Sequence, residues 1–370
     1  MYGLDADTRS PTMRSRYWRE TFIWKFDEAK PKEAVGSLLQ LGRKIGLRPI
    51  LIPAIDSGCT FVADYAEELN QQFLFPNQPA GLTRSLSNKQ QMYYLCKKHS
   101  IPAAETFFPQ CRGDVVEFMK DATFPIMLKG IDTLALQRRT GVKMVVVHDA
   151  ETLLNLYDQM ETPGSPNVML QEYFSGGSQT SWMFNGYFDD ESNCLFGLTA
   201  KMIRQYRPYA GRTTLGVCVA NNTVARQTKE FMKAVSYRGA LDIGYRYSER
   251  TGQYKMIDVN PRIGATFRLL VDTNGMDVAR ALYLDLTDQP IVPGRLREGR
   301  KWVVEDLDIF AWPTYRRNEK LSVCDWLCSY RGVEEAMWFA SDDLVPFIAM
   351  GWRLIRQLCK KLTTFFALGR

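Results

Sequence analysis

Residues Arg238–Arg262, RGALDIGYRYSERTGQYKMIDVNPR, form two alternating runs around the turn-rich segment Ser248–Gly252, a pattern that predicts a β-hairpin. Strand side chains point alternately to opposite faces, so residue parity sorts the hairpin into two surfaces. Leu241, Ile243, Ile257 and Val259 share one surface, which becomes the core side. A turn centred on Arg250 sets Asp242 opposite Asp258 on the other surface, with Asn260 two residues further along. A slip of one residue would bury both carboxylates, so the alternation specifies the parity.

Two like charges opposed on one sheet face are destabilising unless something lies between them. Two arrangements resolve the conflict. Either the acids are solvated or paired with Arg246 and Arg262, or they share a hard cation with the Asn260 amide oxygen. An all-oxygen set of this kind suits Mg²⁺, which keeps several waters and is shared with substrate phosphates. The amide at plus two, followed by Pro261-Arg262, favours the cation.

Working outward, the rest of the chain restricts the chemistry. At 370 residues, with 45% hydrophobic and 24% charged residues, it is an ordinary globular chain of more than one domain. The net charge of +6 is mild for this length and gives no reason to expect nucleic acid. Eight scattered cysteines without a CxxC pair read as free thiols in a reducing cytoplasm. Only His99 and His148 are available for a zinc site or a histidine-dependent triad, and no GxSxG, GxxxxGK or GxGxxG occurs. The chemistry therefore falls to carboxylates, lysines and arginines.

The first part alternates strand-like and helix-like segments: Met1–Asp5, Phe22–Phe26, a helix over 34–45 and an apolar strand over Pro49–Ile55. A helix is expected over Thr83–His99. Strands are expected at 103–108, 125–129, 142–148, 168–174, 181–188, 195–201 and 213–219, with helices at 150–160 and 224–237 between them. Short connections make this half α+β. Division is expected into 1–82, 83–290 (small lobe about 103–175, large lobe about 176–290) and 291–370.

Asp258-x-Asn260-Pro261-Arg262, with Asp242 on the preceding strand, resembles the metal-binding signature of the ATP-grasp superfamily, over about Thr83–Leu286. The chain looks most like its carboxylate-amine ligases, D-aspartate ligase-like enzymes among them. The resemblance implies an ATP-grasp fold behind a truncated Rossmann-like domain, since the relatives' opening strand and helix are missing; a late start site would account for this equally well. It further implies metal ligands Asp242, Asp258 and Asn260. Lys89 and Lys129 would contact the nucleotide, as would Gln171, Glu172, Tyr173 and Phe174 at an adenine hinge. Lys201 and Arg204 would meet phosphate, and Arg262 would orient the acyl substrate. The cofactors implied are ATP and Mg²⁺, with Mn²⁺ as a substitute. The reaction implied is activation of a small-molecule carboxylate as an acyl phosphate, captured by an amine with release of ADP. The alternatives are an ATP-dependent carboligase, though no biotinylation segment is present, and a non-catalytic ATP-binding scaffold. Two departures from the family pattern stand out. Residues 131–139 lack the usual glycine-rich phosphate loop, and the ribose-binding acid is replaced around Ser178-Gln179-Thr180.

After Ser341-Asp342-Asp343 the tail is amphipathic at helical period over 344–368. Leu344, Phe347, Ile348, Trp352, Ile355, Leu358, Cys359, Leu362, Phe365 and Phe366 are expected on one face, opposite Arg353, Arg356, Gln357, Lys360 and Thr364. Arg353 interrupts the apolar run too early for a transmembrane span. The helix is expected to lie on its own domain, on a partner protein, or at the inner membrane surface of a cytoplasmic protein.

Overall fold

A computed structural model describes residues 1–370 apart from 25, 28, 163, 208–210 and 369–370, and apart from the side chains of 178, 179 and 357–368. The N-terminal segment pairs β1 (Tyr2–Asp5) parallel to β2 (Glu20–Ile23), followed by α1 (Pro31–Ile45), α2 (Asp56–Asp64) and α3 (Ala66–Leu69). Leu38, Phe61, Leu69 and Phe73 hold these elements together. The strand expected at Pro49–Ile55 is reduced to an isolated bridge between Ile50 and Leu74. Pro49 and Pro53 have no N–H to donate, so the run cannot continue a ladder. The helix expected over 83–99 is two helices, α4 (Leu82–Ser87) and α5 (Lys89–Lys98). Asn88 divides them by capping α5, its side chain accepting from the Gln90 and Gln91 amides.

The next unit carries β3 (Thr106–Phe107), α6 (Arg112–Met119), β4 (Ile126–Gly130), α7 (Thr133–Thr140), β5 (Met144–Val147), α8 (Ala150–Met160) and β6 (Val168–Glu172). Its four strands lie in the order β3-β6-β4-β5, all neighbours antiparallel. Ile126, Leu128 and Leu170 face Leu153 and Tyr157 in one core, which turns Met127, Lys129, Met169 and Gln171 to the other side. Residues 131–139 are largely helical rather than an open loop. Asp132 caps α7 by accepting from the Ala135 amide, and Gly141 at φ 75° ends it in the left-handed conformation.

The largest sheet is built from β7 (Ser181–Phe188), β8 (Cys194–Tyr206), β9 (Arg212–Cys218), β10 (Gly239–Ser248) and β11 (Gln253–Asn260), with α9 (Asn222–Ala234) inserted and α10 (Val278–Asp285) following. β12 (Lys301–Val303), α11 (Glu305–Glu319), α12 (Val323–Cys328), β13 (Val333–Ala336) and α13 (Val345–Leu368) complete the chain. The seven strands run β11-β10-β7-β8-β9-β12-β13, so the segment after residue 290 adds two strands to this sheet. One face packs on α4, α5 and α9 through Phe184, Phe231, Leu241, Ile243 and Tyr245. On the other face α10 packs against β10, β7 and β8 and α11 against β8 and β9, while β11 forms the edge of the sheet. In α13, Ile348, Trp352 and Ile355 are exposed; Leu358, Cys359, Leu362, Phe365 and Phe366 lie outside the described side chains. Among the described residues, no helix is long and apolar enough to cross a membrane.

Candidate functional site

The β10–β11 hairpin supplies the carboxylates, but in a register two residues from the expected one. Asp242 lies opposite Asn260, and Asp258 lies opposite Gly244. One residue of the difference comes from the turn, which pairs Ser248 with Gln253, and the other from a bulge: Tyr245 pairs with Met256 while Gly244 pairs with Asp258, so Ile257 is the extra residue. Because the displacement is even, Asp242, Asp258 and Asn260 stay on one face. Ile257 loses its place beside Val259, and Met256, fully buried, takes over the core position. Beyond the bulge, Lys255 is therefore turned to the same face as the acids.

Asn260 Nδ2 lies between the two carboxylates, 3.3 Å from Asp242 and 3.4 Å from Asp258. Its oxygen accepts from Arg262 at 3.1 Å. Asn185 on β7, directly across from Asp242, donates to it at 2.7 Å, and its own buried carbonyl oxygen has no donor among the described residues. Gly264 packs so closely that any side chain there would collide with the Asp242 carboxylate. Burial raises the Asp242 pKa to about 6; Arg262 and the Asn185 bond oppose the rise, and the neighbouring Asp258 charge adds to it. Among the described residues, no three His, Cys, Asp or Glu side chains converge on one point. A cation here would be held by two carboxylates and an amide oxygen, with the remaining positions left to water and phosphate. That donor set, with an amide N–H now between the acids and an orphaned oxygen beside them, fits Mg²⁺.

The small lobe presents positive charge to this face. Lys129 on β4 is 9% exposed, and burial brings its pKa down to about 7, with the charges of Lys89 and Arg246 adding and that of Asp258 opposing. Gln171 is buried, donating to Thr106 Oγ1 at 2.9 Å. Lys89, Met169, Gln171 and Ile257 line a narrow cleft between the four-stranded and seven-stranded sheets. Glu172 is committed to Lys255, at 2.7 and 2.9 Å, and to Arg250 at 3.4 Å. Arg246 donates to the Gly177 carbonyl and to Thr180. The hairpin thus grips the segment in which the half-buried Tyr173 and Phe174 lie.

Two expected residues are elsewhere. Lys201 pairs in register with Trp182 and, through it, with Tyr245 in the core, so it leaves from the reverse face of the sheet. Its ammonium lies over the Trp182 ring, 5.7 Å from the centroid. Arg204 is 3% exposed and ion-paired at 2.8 Å with Asp308 of α11, donating also to Ser329. It joins the C-terminal segment to the sheet. Arg262 is at the site's outer edge, its Nε 2.5 Å from Asp56 at the start of α2. Beside it, Leu51, Pro53, Cys59, Phe75 and Tyr237 line a small pocket between the N-terminal segment and the large sheet.

The fold is shared with known structures. The chain superposes with a TM-score of 0.61 on the biotin carboxylase domain of Hydrogenobacter thermophilus 2-oxoglutarate carboxylase, solved with MgADP, ADP and bicarbonate; 81% of this chain and 67% of that one are covered, at 14% identity. The chain has the ATP-grasp fold. The L-amino acid ligase of Bacillus licheniformis shares that ATP-grasp architecture with a TM-score of 0.56 at 12% identity, over 79% of this chain and 77% of that one. In sequence, the chain is 22% identical over 288 residues to the D-aspartate ligase of Enterococcus faecium (strain Aus0004), spanning 74% of this chain and 68% of the relative. No protein-family model matches. Within this ATP-grasp chain, Asn185, Lys255, Asp56 and Gly264 went unseen in the sequence. Each becomes significant only through a strand or helix distant in the chain; the bulge that redirects Lys255 has no local signature beyond the hairpin itself.

Proposed function

We propose that the protein is an ATP- and Mg²⁺-dependent ligase that activates a carboxylate as an acyl phosphate and joins it to an amine, releasing ADP and phosphate. The observation that carries this reading is the facing of opposite charges between the two sheets: Asp242 and Asp258, with Asn260, on the large sheet and buried Lys129 on β4, with Lys89 at the start of α5 close enough to act on it. Mg²⁺, or Mn²⁺ in its place, would be held by Asp242, Asp258 and Asn260 and would supply positive charge against the phosphates.

The chain's own residues then have separable tasks. Lys129 carries its charge at the end of β4, withdrawn from water, where a buried cation stabilises phosphate oxygens more strongly than an exposed one would. Anionic phosphate favours its protonated form, so nucleotide binding above pH 7 takes up a proton there. Gln171 lines the cleft, and Tyr173 and Phe174 follow it in the chain as the proposed adenine hinge. Arg262 offers a planar fork to the substrate carboxylate, and Asp56 holds that fork in place. The D-aspartate ligase relative supports amide formation over carboxylation.

The test is ADP release with ATP, Mg²⁺ and pooled D- and L-amino acids and hydroxy acids. The expected result is ADP release that requires both a carboxylate and an amine and that is lost in Asp258→Ala. Nucleotide binding without ADP release in any pool would leave a non-catalytic nucleotide-binding protein.

A further inference from the structure

We propose that α13 is an interfacial helix that docks the protein on an anionic lipid surface, with an outward apolar stripe entering the headgroup region. The proposal is independent of the ligase reading.

The stripe consists of Val345, Ile348, Trp352 and Ile355, 49%, 53%, 62% and 52% exposed, with Leu344 at 45% beside it. Spacings of three, four and three residues line these side chains up along one side of a helix. The opposite side does the packing: Met350 is 7% exposed and Phe347 meets Phe339 edge-on at 5.6 Å. The base of the helix is moored on the turn Pro11–Arg14 and the residues after it. Ser15 donates to Asp343 at 2.5 Å, and Arg16 donates to the Asp342 carbonyl at 2.8 Å. From Trp352 to Arg356 only Leu354 is partly covered, so the helix is anchored at its start and carries bulky apolar groups outward.

Charge decides the occupant. No acidic residue follows Asp343, whereas Arg353, Arg356, Lys360, Lys361 and Arg370 do, five of the chain's six net positive charges. Arg353 and Arg356 are exposed next to the stripe. A second copy of the same helix would set these cations against one another. An anionic lipid surface accepts the apolar stripe and the cations together, and tryptophan is suited to the headgroup level. Among the described residues, no helix is long and apolar enough to span.

The test is co-sedimentation of the full chain with phosphatidylcholine vesicles, with and without phosphatidylserine. The wild type is expected to pellet only when phosphatidylserine is present. The double variant Trp352→Glu/Ile355→Glu is expected to stay in the supernatant with an unchanged thermal midpoint, since both positions are exposed. Arg353→Gln/Arg356→Gln keeps the stripe and should weaken partition roughly thirtyfold, at about 1 kcal/mol for each basic residue near the surface. Three results would overturn the proposal: no pelleting of the wild type with anionic vesicles, undiminished pelleting of Trp352→Glu/Ile355→Glu, or a wild-type dimer that this variant dissolves.

Discussion

Asp308 and Asp242 are both withdrawn from bulk water against the same sheet, and they are treated oppositely. Asp308 is fully buried and fully answered: Arg204 donates to it at 3.0, 3.2 and 2.8 Å, Thr214 at 2.6 Å, Trp326 at 2.9 Å and Tyr330 at 2.6 Å. Burial alone would raise its pKa, yet Arg204 and the hydroxyl donors hold it below the ordinary carboxylate value. Asp242 has one good hydrogen bond, from Asn185, a weak one from Asn260, and a second acid close by. Its pKa accordingly rises to about 6. Where the fold uses a buried charge to join two segments, it supplies the counter-charge itself. Where the counter-charge is incomplete, as at Asp242, in the proposed ligase the balance falls to a cation.

The contrast is broken most directly at Asp308. Asp308→Ala leaves Arg204, 3% exposed, without its partner, and is expected to cost about 3–5 kcal/mol in urea unfolding. A loss under about 1 kcal/mol would mean that water answers Arg204 as well as Asp308 does. At Asp242 the sign is reversed. Asp242→Asn should leave the ligand-free protein as stable as the wild type or slightly more so at pH 7. It should also lose the stabilisation by MgATP, about 2.7 kcal/mol at ligand one hundred times its dissociation constant.

The pH dependence sharpens the same point. With its folded pKa raised from 3.8 to about 6, Asp242 binds more protons in the folded than in the unfolded state within that window. Its contribution to stability is therefore present below pH 4 and lost as pH rises through 6. Asp242→Asn should flatten that part of the stability profile. The smallest effect belongs to Lys201→Ala. It removes only the ammonium over Trp182, about 0.5–1 kcal/mol, and should leave the thermal shift with MgATP unchanged. A lost shift would return Lys201 to the nucleotide.

The hairpin was legible because alternation and the acid-amide-arginine spacing are local properties. Its register was not, because the turn moves the pairing by one residue and the bulged residue Ile257 moves every pair beyond it by one more, and neither alters the apolar pattern that announces the strand. The even displacement kept the three candidate ligands together; the bulge itself exposed Lys255 to Glu172, a partner 83 residues away. Arg204 misled for a related reason. Its basic character is visible in the sequence, but its partner lies 104 residues further on. The helix over Thr133–Thr140 was within reach, since Asp132 and Gly141 are ordinary start and stop residues, but the loop that the resemblance implied took precedence over them.

By itself, then, the sequence determined which strands alternate, which residues could ligate a cation, and that the chemistry would be carboxylate, amide and cation chemistry without histidine. Those are consequences of side-chain type and period, which act over a few residues. The tertiary structure decided which charges remain available. It satisfied Asp308 with Arg204, turned Lys201 to the far side, aimed Lys129 at the acids and set Asp56 against Arg262. Electrostatic compensation depends on distance in space and on exclusion of water, and neither is a property of neighbours along the chain.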